Sequence, residues 1–318
     1  MQEIIKKLKE ADLKGRGGAM FPAYLKWQAV LDAKAEKKYI ICNAAEGELD
    51  LNKDKYLLEN FLEEIIGGIK IALEAIDNSS AVFYLNPQYY ELFSKEIERH
   101  GIEPVKEEAG YIGGEESVAI ETIEGHYPMP RKRPPFVSEK GLFDFPTLVN
   151  NVETFYCVEK INKGEYQNER FYQIIGKNNG VFKLKEGMTI SEILKATENY
   201  PDFPFYVQAG GGAIGEIFLE EELNIPIKGE GFVRIISFKE DPFSLMERWA
   251  EFLNSGNCDK CTPCREGLNR ILEMIKTRKL DYKKLDDIFF AMEKTSFCAL
   301  GKGAPLPFRS MINKVIKP

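Results

Sequence analysis

Histidine is scarce: His100 and His126 are the only two among 318 residues. Each lies in a polar, loop-like stretch with no partner at ligand spacing, so the sequence does not support histidine ligation of a metal and gives little to a histidine base. Long blocks of Lys and Arg are missing too. The formal charge is -7 and the one basic run, "PRKRPPF" at 130–136, is broken by prolines, so no footprint for a nucleic-acid backbone is present. Nor does any apolar run reach the length of a signal core or a membrane span. "MQEIIKKLKEADLKGRGG" carries charges at helical spacing, and "FLEEIIGGIKIALEAI" is interrupted by charges every few residues. The expectation is a cytoplasmic protein that reaches a membrane only peripherally, through partner subunits. Internal repeats and low-complexity segments are absent. The cysteines number six, and without an export signal they speak for metal or cluster binding over a disulfide framework.

What is present is a 44% hydrophobic chain long enough for two or three buried cores. Over 1–168, strand-like runs ("KKYIICNA", "SAVFYLN") alternate with amphipathic stretches ("KYLLENFLEEIIGGIKIALEAI", "YYELFSKEIERHG"). That alternation predicts an α/β domain around a mostly parallel sheet. Over 169–239 come short β-like runs, "RFYQIIG", "GVFKLKEGM", "PFYVQAGG" and "GFVRIISF", with one helix, "TISEILKATENY", starting at a Thr/Ser cap. This order suggests a small β-grasp-like (ubiquitin-like) module. Over 240–318, "PFSLMERWAEFLNSG", "REGLNRILEMIKTRK" and "YKKLDDIFFAMEKTS" indicate a helical bundle.

Cys258, Cys261 and Cys264 form C-x-x-C-x-x-C, and Cys298 follows beyond two of those helical stretches. Two-residue gaps let a loop entering a helix turn its thiolates toward one point, and a helical hairpin returns the fourth. Four thiolates are what a 4Fe-4S cluster needs; a structural zinc on the same cysteines is the alternative. Cys42, in a strand-like run, and Cys157, after an aromatic pair, read as core residues.

Three glycine-rich stretches draw notice. "KGRGGAMFP" at 14–22 suits an anion cradle with Arg16 as a charged fork for a phosphate, but it follows no predicted strand, so as a dinucleotide fingerprint it is weak. Gly210, Gly212 and Gly215 complete G-x-G-x-x-G, yet no amphipathic helix follows, and a hairpin or tight turn is the simpler account. "AGYIGGEES" at 109–117 sets Tyr111, a glycine pair, Glu115 and Glu116 together, as ligand-orienting groups or as a capped helix start. "AAEGELD" at 44–50 adds Glu46 and Glu48.

Six segments in order, "GRGGAMFPAYLKW", "NAAEGELDLNKDK", "YIGGEES", "RKRPPFVSEKGLFDFPTLVNNVET", "CDKCTPCREG" and "TSFCALGKGAPLP", resemble the NADH-oxidising flavoprotein subunit of respiratory complex I and its relatives in NAD-linked hydrogenases and formate dehydrogenases. The resemblance covers nearly the whole chain. It implies a Rossmann-like FMN-binding α/β domain, a β-grasp module and a helical bundle holding a 4Fe-4S cluster. It further implies electron transfer from NADH through FMN to the cluster, and other iron-sulfur subunits of a multisubunit complex as partners, with no nucleic acid and no direct membrane insertion. The implied FMN shell is Gly15, Arg16, Gly17, Gly18, Lys26, Asn43, Glu46, Tyr111, Gly114, Glu115, Glu116, Asn150, Asn151 and Thr154; Phe21, Glu48 and Phe136 are implied for NADH. Glu46, Glu48, Tyr111, Glu115 and Glu116 are the implied catalytic group, and Cys258, Cys261, Cys264 and Cys298 the cluster ligands.

The departures fall mostly on the dinucleotide side. Met20 stands for the last glycine of G-R-G-G-A-G-F, Ala29 for an aromatic two residues after Trp27, and Ala45 for an Asp. Leu49 and Asp50 stand for a common Pro-Gly, and Arg133 for a common Lys. They raise an alternative: a relay with an impaired or lost NADH site that exchanges electrons only with partner subunits, or a cluster-bearing scaffold without flavin.

Overall fold

Strand β1 (Lys38–Ala44) is buried at every position except Asn43. Continuous burial of this kind belongs to a central strand of a parallel sheet covered on both faces. In the computed structural model, which describes residues 2–317, β1 is flanked by β2 (Ser79–Leu85) and β4 (Thr147–Asn151), and β3 (Glu103–Lys106) pairs with β2. All three pairings are parallel, as the alternation of apolar runs and amphipathic stretches predicts, and the order is β3-β2-β1-β4. The crossovers are helical: α3 (Lys53–Ala75), α4 (Pro87–Arg99) and α5 (Glu116–Ile123). Helices α1 (Gln2–Glu10) and α2 (Ala23–Asp32) precede the sheet and α6 (Val152–Asn162) follows it. Strand order reverses between β1 and β4, where open α/β sheets leave a crevice at their carboxyl ends. Asn43 pairs with Asn151 at that point.

This first unit comprises the residues up to Gly47 together with Asn52–Glu169. The second takes Glu48–Leu51 and the chain from Arg170 onward. It contains a five-stranded sheet of order β6-β5-β9-β7-β8, made of β5 (Glu169–Ile175), β6 (Gly180–Lys185), β7 (Phe205–Ala209), β8 (Glu216–Leu219) and β9 (Phe232–Ser237). Between β6 and β7 lies α7 (Ile190–Ala196), opened by a Thr189/Glu192 capping box, and its Ile190, Ile193 and Leu194 pack on Tyr172, Phe205, Val207 and Val233. The β-like runs account for four strands; β8 is the addition, a four-residue strand whose acidic continuation hides it from a pattern reading.

The three amphipathic stretches become α8 (Pro242–Ser255), α9 (Thr262–Lys276) and α10 (Tyr282–Thr295). Two more short helices follow, α11 (Ala299–Gly303) and α12 (Pro305–Met311), in a stretch whose glycines and prolines mask helical periodicity. Residues 210–215 join β7 to β8 as the turn of an antiparallel hairpin, so the G-x-G-x-x-G pattern there is a turn and not a nucleotide fingerprint. Its glycine is needed at 212, where a Cβ would come within 1.6 Å of the Leu49 carbonyl oxygen.

Asp50 explains one departure from the family pattern. Its φ is 62°, the left-handed conformation for which glycine is the easy choice, and its carboxylate takes hydrogen bonds from both Arg234 and Arg248. Those two charge-assisted contacts compensate the conformation. Among the described residues, no helix is long and apolar enough to cross a membrane.

Candidate functional site

The implied flavin residues converge on the carboxyl ends of β1 and β4. Asn43 spans two loops: its Oδ1 accepts from Ala45 N at 3.1 Å and its Nδ2 donates to Gly114 O at 3.0 Å. Asn151 caps α6, accepting from Glu153 N at 3.0 Å, while its Nδ2 donates to Asp54 Oδ2 at 2.6 Å. Asn150 is buried; with its amide turned to satisfy both ends, it accepts from Trp27 Nε1 at 2.9 Å. Thr154, inside the first turn of α6, accepts from Arg16 N at 3.0 Å and so anchors the glycine loop. That loop closes on itself through Gly15 N donating to Phe21 O at 2.8 Å, with Gly18 between them.

Arg16 differs from the expected open fork. Its side chain is 1% exposed and its Nη2 donates to Tyr166 Oη at 2.9 Å, so the guanidinium ties the loop down from beneath. Lys26, on α2, reaches Glu116 at 2.7 Å and Val149 O at 3.3 Å. Glu115 caps α5 through Ser117 N and Val118 N, so the helix-start reading of "GGEES" holds for it. Arg133 pairs with Glu115 and lies 3.1 Å from Glu116. Tyr111 lies in a single tight turn, Gly110–Gly114, alongside Gly47.

Glu46 accepts from Asp54 N at 2.9 Å, Lys55 N at 3.3 Å and Tyr89 Oη at 2.7 Å. Burial and the neighbouring Asp54 push its carboxyl up to about 8. Tyr89, Lys53, Asp54 and Glu153 were not singled out from the sequence. The one local signal was "NPQYY": Asn86 caps α4 and Pro87 opens it, which sets Tyr89 in a first helical turn just past β2.

On the dinucleotide side, Phe21 and Phe136 are each about half exposed, and Ala29 is exposed on α2 one helical turn beyond the exposed Leu25. Met20 holds the left-handed conformation, φ 52°, of the glycine it replaces. Glu48 is in the second unit, where its carboxylate accepts from Ala213 N at 2.5 Å.

A phosphorylated planar cofactor such as FMN fits the first unit's site. The glycine loop packs tightly enough that a Cβ on Gly17 would lie 3.3 Å from the Asn151 Cβ, and the N-terminus of α6 opens beside it.

The four motif cysteines gather at the other site. All carry free thiols. Cys261 caps α9, Cys264 lies in its first turn, and Cys298 precedes α11. Phe297 N donates to Cys261 Sγ at 3.1 Å, and an added Cβ on Gly301 would meet the Cys264 Cβ at 3.3 Å. Burial, and then Cys298, Cys261 and Cys258 in turn, push the Cys264 thiol up to about 12. An all-sulfur donor set with a main-chain N–H aimed at one sulfur fits a 4Fe-4S cluster. Cys42 and Cys157 are buried, as core residues.

The histidines correct one expectation, since both have carboxylate neighbours that their sequence context did not reveal. His126 Nδ1 lies 3.0 Å from Glu121 and 3.2 Å from Glu124, whose carboxylates also hold Arg131; His100 Nε2 lies 3.2 Å from Glu63. None of these side chains is among the residues implied for either site.

Residues 8–160 match the family described as the Nuo51 FMN-binding domain, and residues 244–316 the NADH-ubiquinone oxidoreductase-F iron-sulfur binding region. The F subunit of NADH-quinone oxidoreductase in Streptomyces coelicolor is 32% identical, covering 98% of this chain and 80% of its own. The corresponding F 2 subunit of Rhizobium meliloti is 29% identical, covering 98% and 86%. A chain of an NAD+-reducing NiFe-hydrogenase in the H2-reduced state superposes with a TM-score of 0.92 at 27% identity, over 99% of this chain and 62% of that one. The present chain therefore spans somewhat under two thirds of the hydrogenase chain. The chain belongs to the family of NADH-quinone oxidoreductase F subunits and carries that family's FMN-binding domain and 4Fe-4S region in that order.

Proposed function

We propose that the chain is an electron-transfer subunit of a multisubunit redox complex, passing electrons between NAD(H), FMN and a 4Fe-4S cluster. One observation carries this reading: a polar site at the switch point of a parallel sheet and four gathered cysteines occur in one chain that matches both family regions. When bound, FMN supplies the conversion between a hydride and single electrons.

The chain's own residues hold and orient. Gly15, Gly17 and Gly18, with the N-terminus of α6 at Asn151 and Thr154, receive the phosphate end; Arg16 braces the loop. Asn43, Glu46, Tyr111, Gly114, Glu115, Glu116 and Asn150 would complete the shell that holds FMN, and Lys26 would orient Glu116. Phe21 and Phe136 serve the dinucleotide, and Glu46, Tyr111, Glu115 and Glu116 form the group nearest the chemistry. Cys258, Cys261, Cys264 and Cys298 hold the cluster.

The accompanying fold reading is a Rossmann-like domain over 1–168, a β-grasp module over 169–239 and a cluster-binding bundle over 240–318. The single helix α7 packed on a five-stranded mixed sheet supports the second part, and the five helices from α8 to α12 support the third. Further iron-sulfur subunits are the partners, in keeping with relatives named as subunits, and the complex is cytoplasmic or peripheral to a membrane. Met20 and Ala29 favour a second reading, in which the NADH site is weakened and partners alone exchange electrons.

The test is anaerobic purification with partners, quantification of FMN, and titration with NADH while the flavin absorbance and cluster EPR are followed. Flavin bleaching followed by cluster reduction supports the first reading. Bound flavin that responds to dithionite but not to NADH selects the second, and a chain that binds no flavin refutes the first and leaves a scaffold around the cluster.

A further inference from the structure

Three acids and one ammonium group meet beneath the carboxyl ends of β1 and β4. Lys53 Nζ lies 2.8 Å from Asp54 Oδ1 and 2.9 Å from Glu153 Oε2, and none of these three side chains is more than 5% exposed. One ammonium against two carboxylates leaves that trio one negative charge in excess. Glu46 adjoins it through Asp54, whose main-chain N–H it accepts at 2.9 Å. A charge on Glu46 therefore enters a poorly hydrated place beside the Asp54 carboxylate, which disfavours its own carboxylate, and the Lys53 ammonium and the accepted hydrogen bonds offset only part of this.

The groups facing Glu46 come from four elements. Asp54 and Lys53 on α3 face it directly; behind them Glu153 on α6 pairs with Lys53 and Cys42 on β1 faces Asp54, while Glu59, further along α3, acts on Tyr89. On α4, Tyr89 is 2% exposed and donates its hydroxyl to Glu46 Oε2 at 2.7 Å. Burial holds that phenol far above its ordinary range, so it stays a donor. Glu46 as a residue is only half-buried.

We propose that Glu46, gripped by Tyr89, is a proton-exchanging group of the site: it takes one proton from solvent when negative charge arrives at the carboxyl ends of β1 and β4, and returns it when that charge leaves. The inference rests on the flavin reading of this site. The step is a carboxylate plus a solvent proton giving a carboxylic acid; no electron passes through the residue. Its physical basis is Coulombic, because a negative charge brought close to a carboxyl favours the neutral form. A plain helix cap, the bland role for a side chain that accepts N–H groups from the first turn of α3, would not exchange protons with the redox state.

The experiment uses the flavin-loaded chain with its partners. Flavin potentials are measured from pH 6.5 to 10, and the protonated-carboxyl infrared band is followed over the same range in flavin-loaded and flavin-free protein. The wild type should take up one more proton per electron pair above about pH 8, and the band should fade there. Glu46→Gln should show neither change, while its amide oxygen still accepts one of the two α3 N–H groups. Tyr89→Phe should move the onset to higher pH, because the phenol's hydrogen bond favours the carboxylate. If Glu46→Gln fails to fold, the Tyr89→Phe displacement carries the test. An onset that survives Glu46→Gln, is unmoved by Tyr89→Phe, or is missing because the carboxyl titrates at about pH 4 to 5 with flavin bound overturns the proposal. Protein that binds no flavin instead overturns the reading beneath it, and flavin content tells the two failures apart.

Discussion

The side-chain amide of Asn151 donates to Asp54 at 2.6 Å and so ties the cap of α6 to the first turn of α3, two elements about a hundred residues apart in the chain. Both ends of that tie rest on Lys53, which pairs with Asp54 and Glu153. Removing one partner of a buried ion cluster strands the others without compensation. Lys53→Met should cost about 3–5 kcal/mol in urea unfolding at neutral pH. The deficit should shrink in acid, where the stranded carboxyls protonate.

Glu46 gives the fold a pH dependence of definite sign. Its carboxyl sits near 4.5 when unperturbed and is raised to about 8 in the folded chain, so the folded state binds its proton more tightly than the unfolded state does. The corresponding stability is fully present below pH 4.5 and is lost as pH rises through about 8. Thermal unfolding across pH 5 to 9.5 should show this decline in the wild type, and Glu46→Gln should flatten it.

Cys298→Ser removes one thiolate of four while leaving the first unit's sequence untouched. Iron and acid-labile sulfide should fall to a small fraction of the wild-type content, and bound flavin should remain. Zinc in place of iron in the anaerobically purified wild type would assign the cysteines to a structural metal site instead.

Met20→Gly combined with Ala29→Phe restores the glycine and the aromatic at the dinucleotide side. Regaining one stacking face is worth about 1–3 kcal/mol, or roughly five- to 150-fold in NADH affinity. Stopped-flow titration of flavin reduction measures it. No gain would show that these two residues are not what limits NADH binding.

Gly212→Ala places a methyl group where the Leu49 carbonyl oxygen stands, at 1.6 Å from the ideal Cβ. Backbone must move to admit it, so a loss of about 1–3 kcal/mol or more is expected in thermal or chemical unfolding. Leu49→Ala should not rescue it, because the clash is with main chain.

Much of this was legible in the sequence because it is local. Continuous apolar runs marked β1 and β2, period-3.6 patterns marked α3 and α4, and the C-x-x-C-x-x-C spacing with Cys298 beyond two helical stretches marked the four cysteines. The same local logic recognised 210–215 as a turn, since a fingerprint needs a helix behind it. β8 and the short helices α11 and α12 escaped because four to seven residues among acids, glycines or prolines carry too little periodicity to read.

Pattern and motif spacing in the sequence alone determined the element types, the parallel α/β class and the thiol set, all of which depend on neighbours a few residues apart. The tertiary structure alone decided the strand order that sets Asn43 against Asn151, the inward turn of Arg16 onto Tyr166, the passage of 48–51 into the second unit, and the gathering of Lys53, Asp54, Glu153 and Tyr89 around Glu46. Strand pairing and buried charge balance are set by through-space distance between segments far apart in the chain, and a single sequence does not encode that distance in any local pattern.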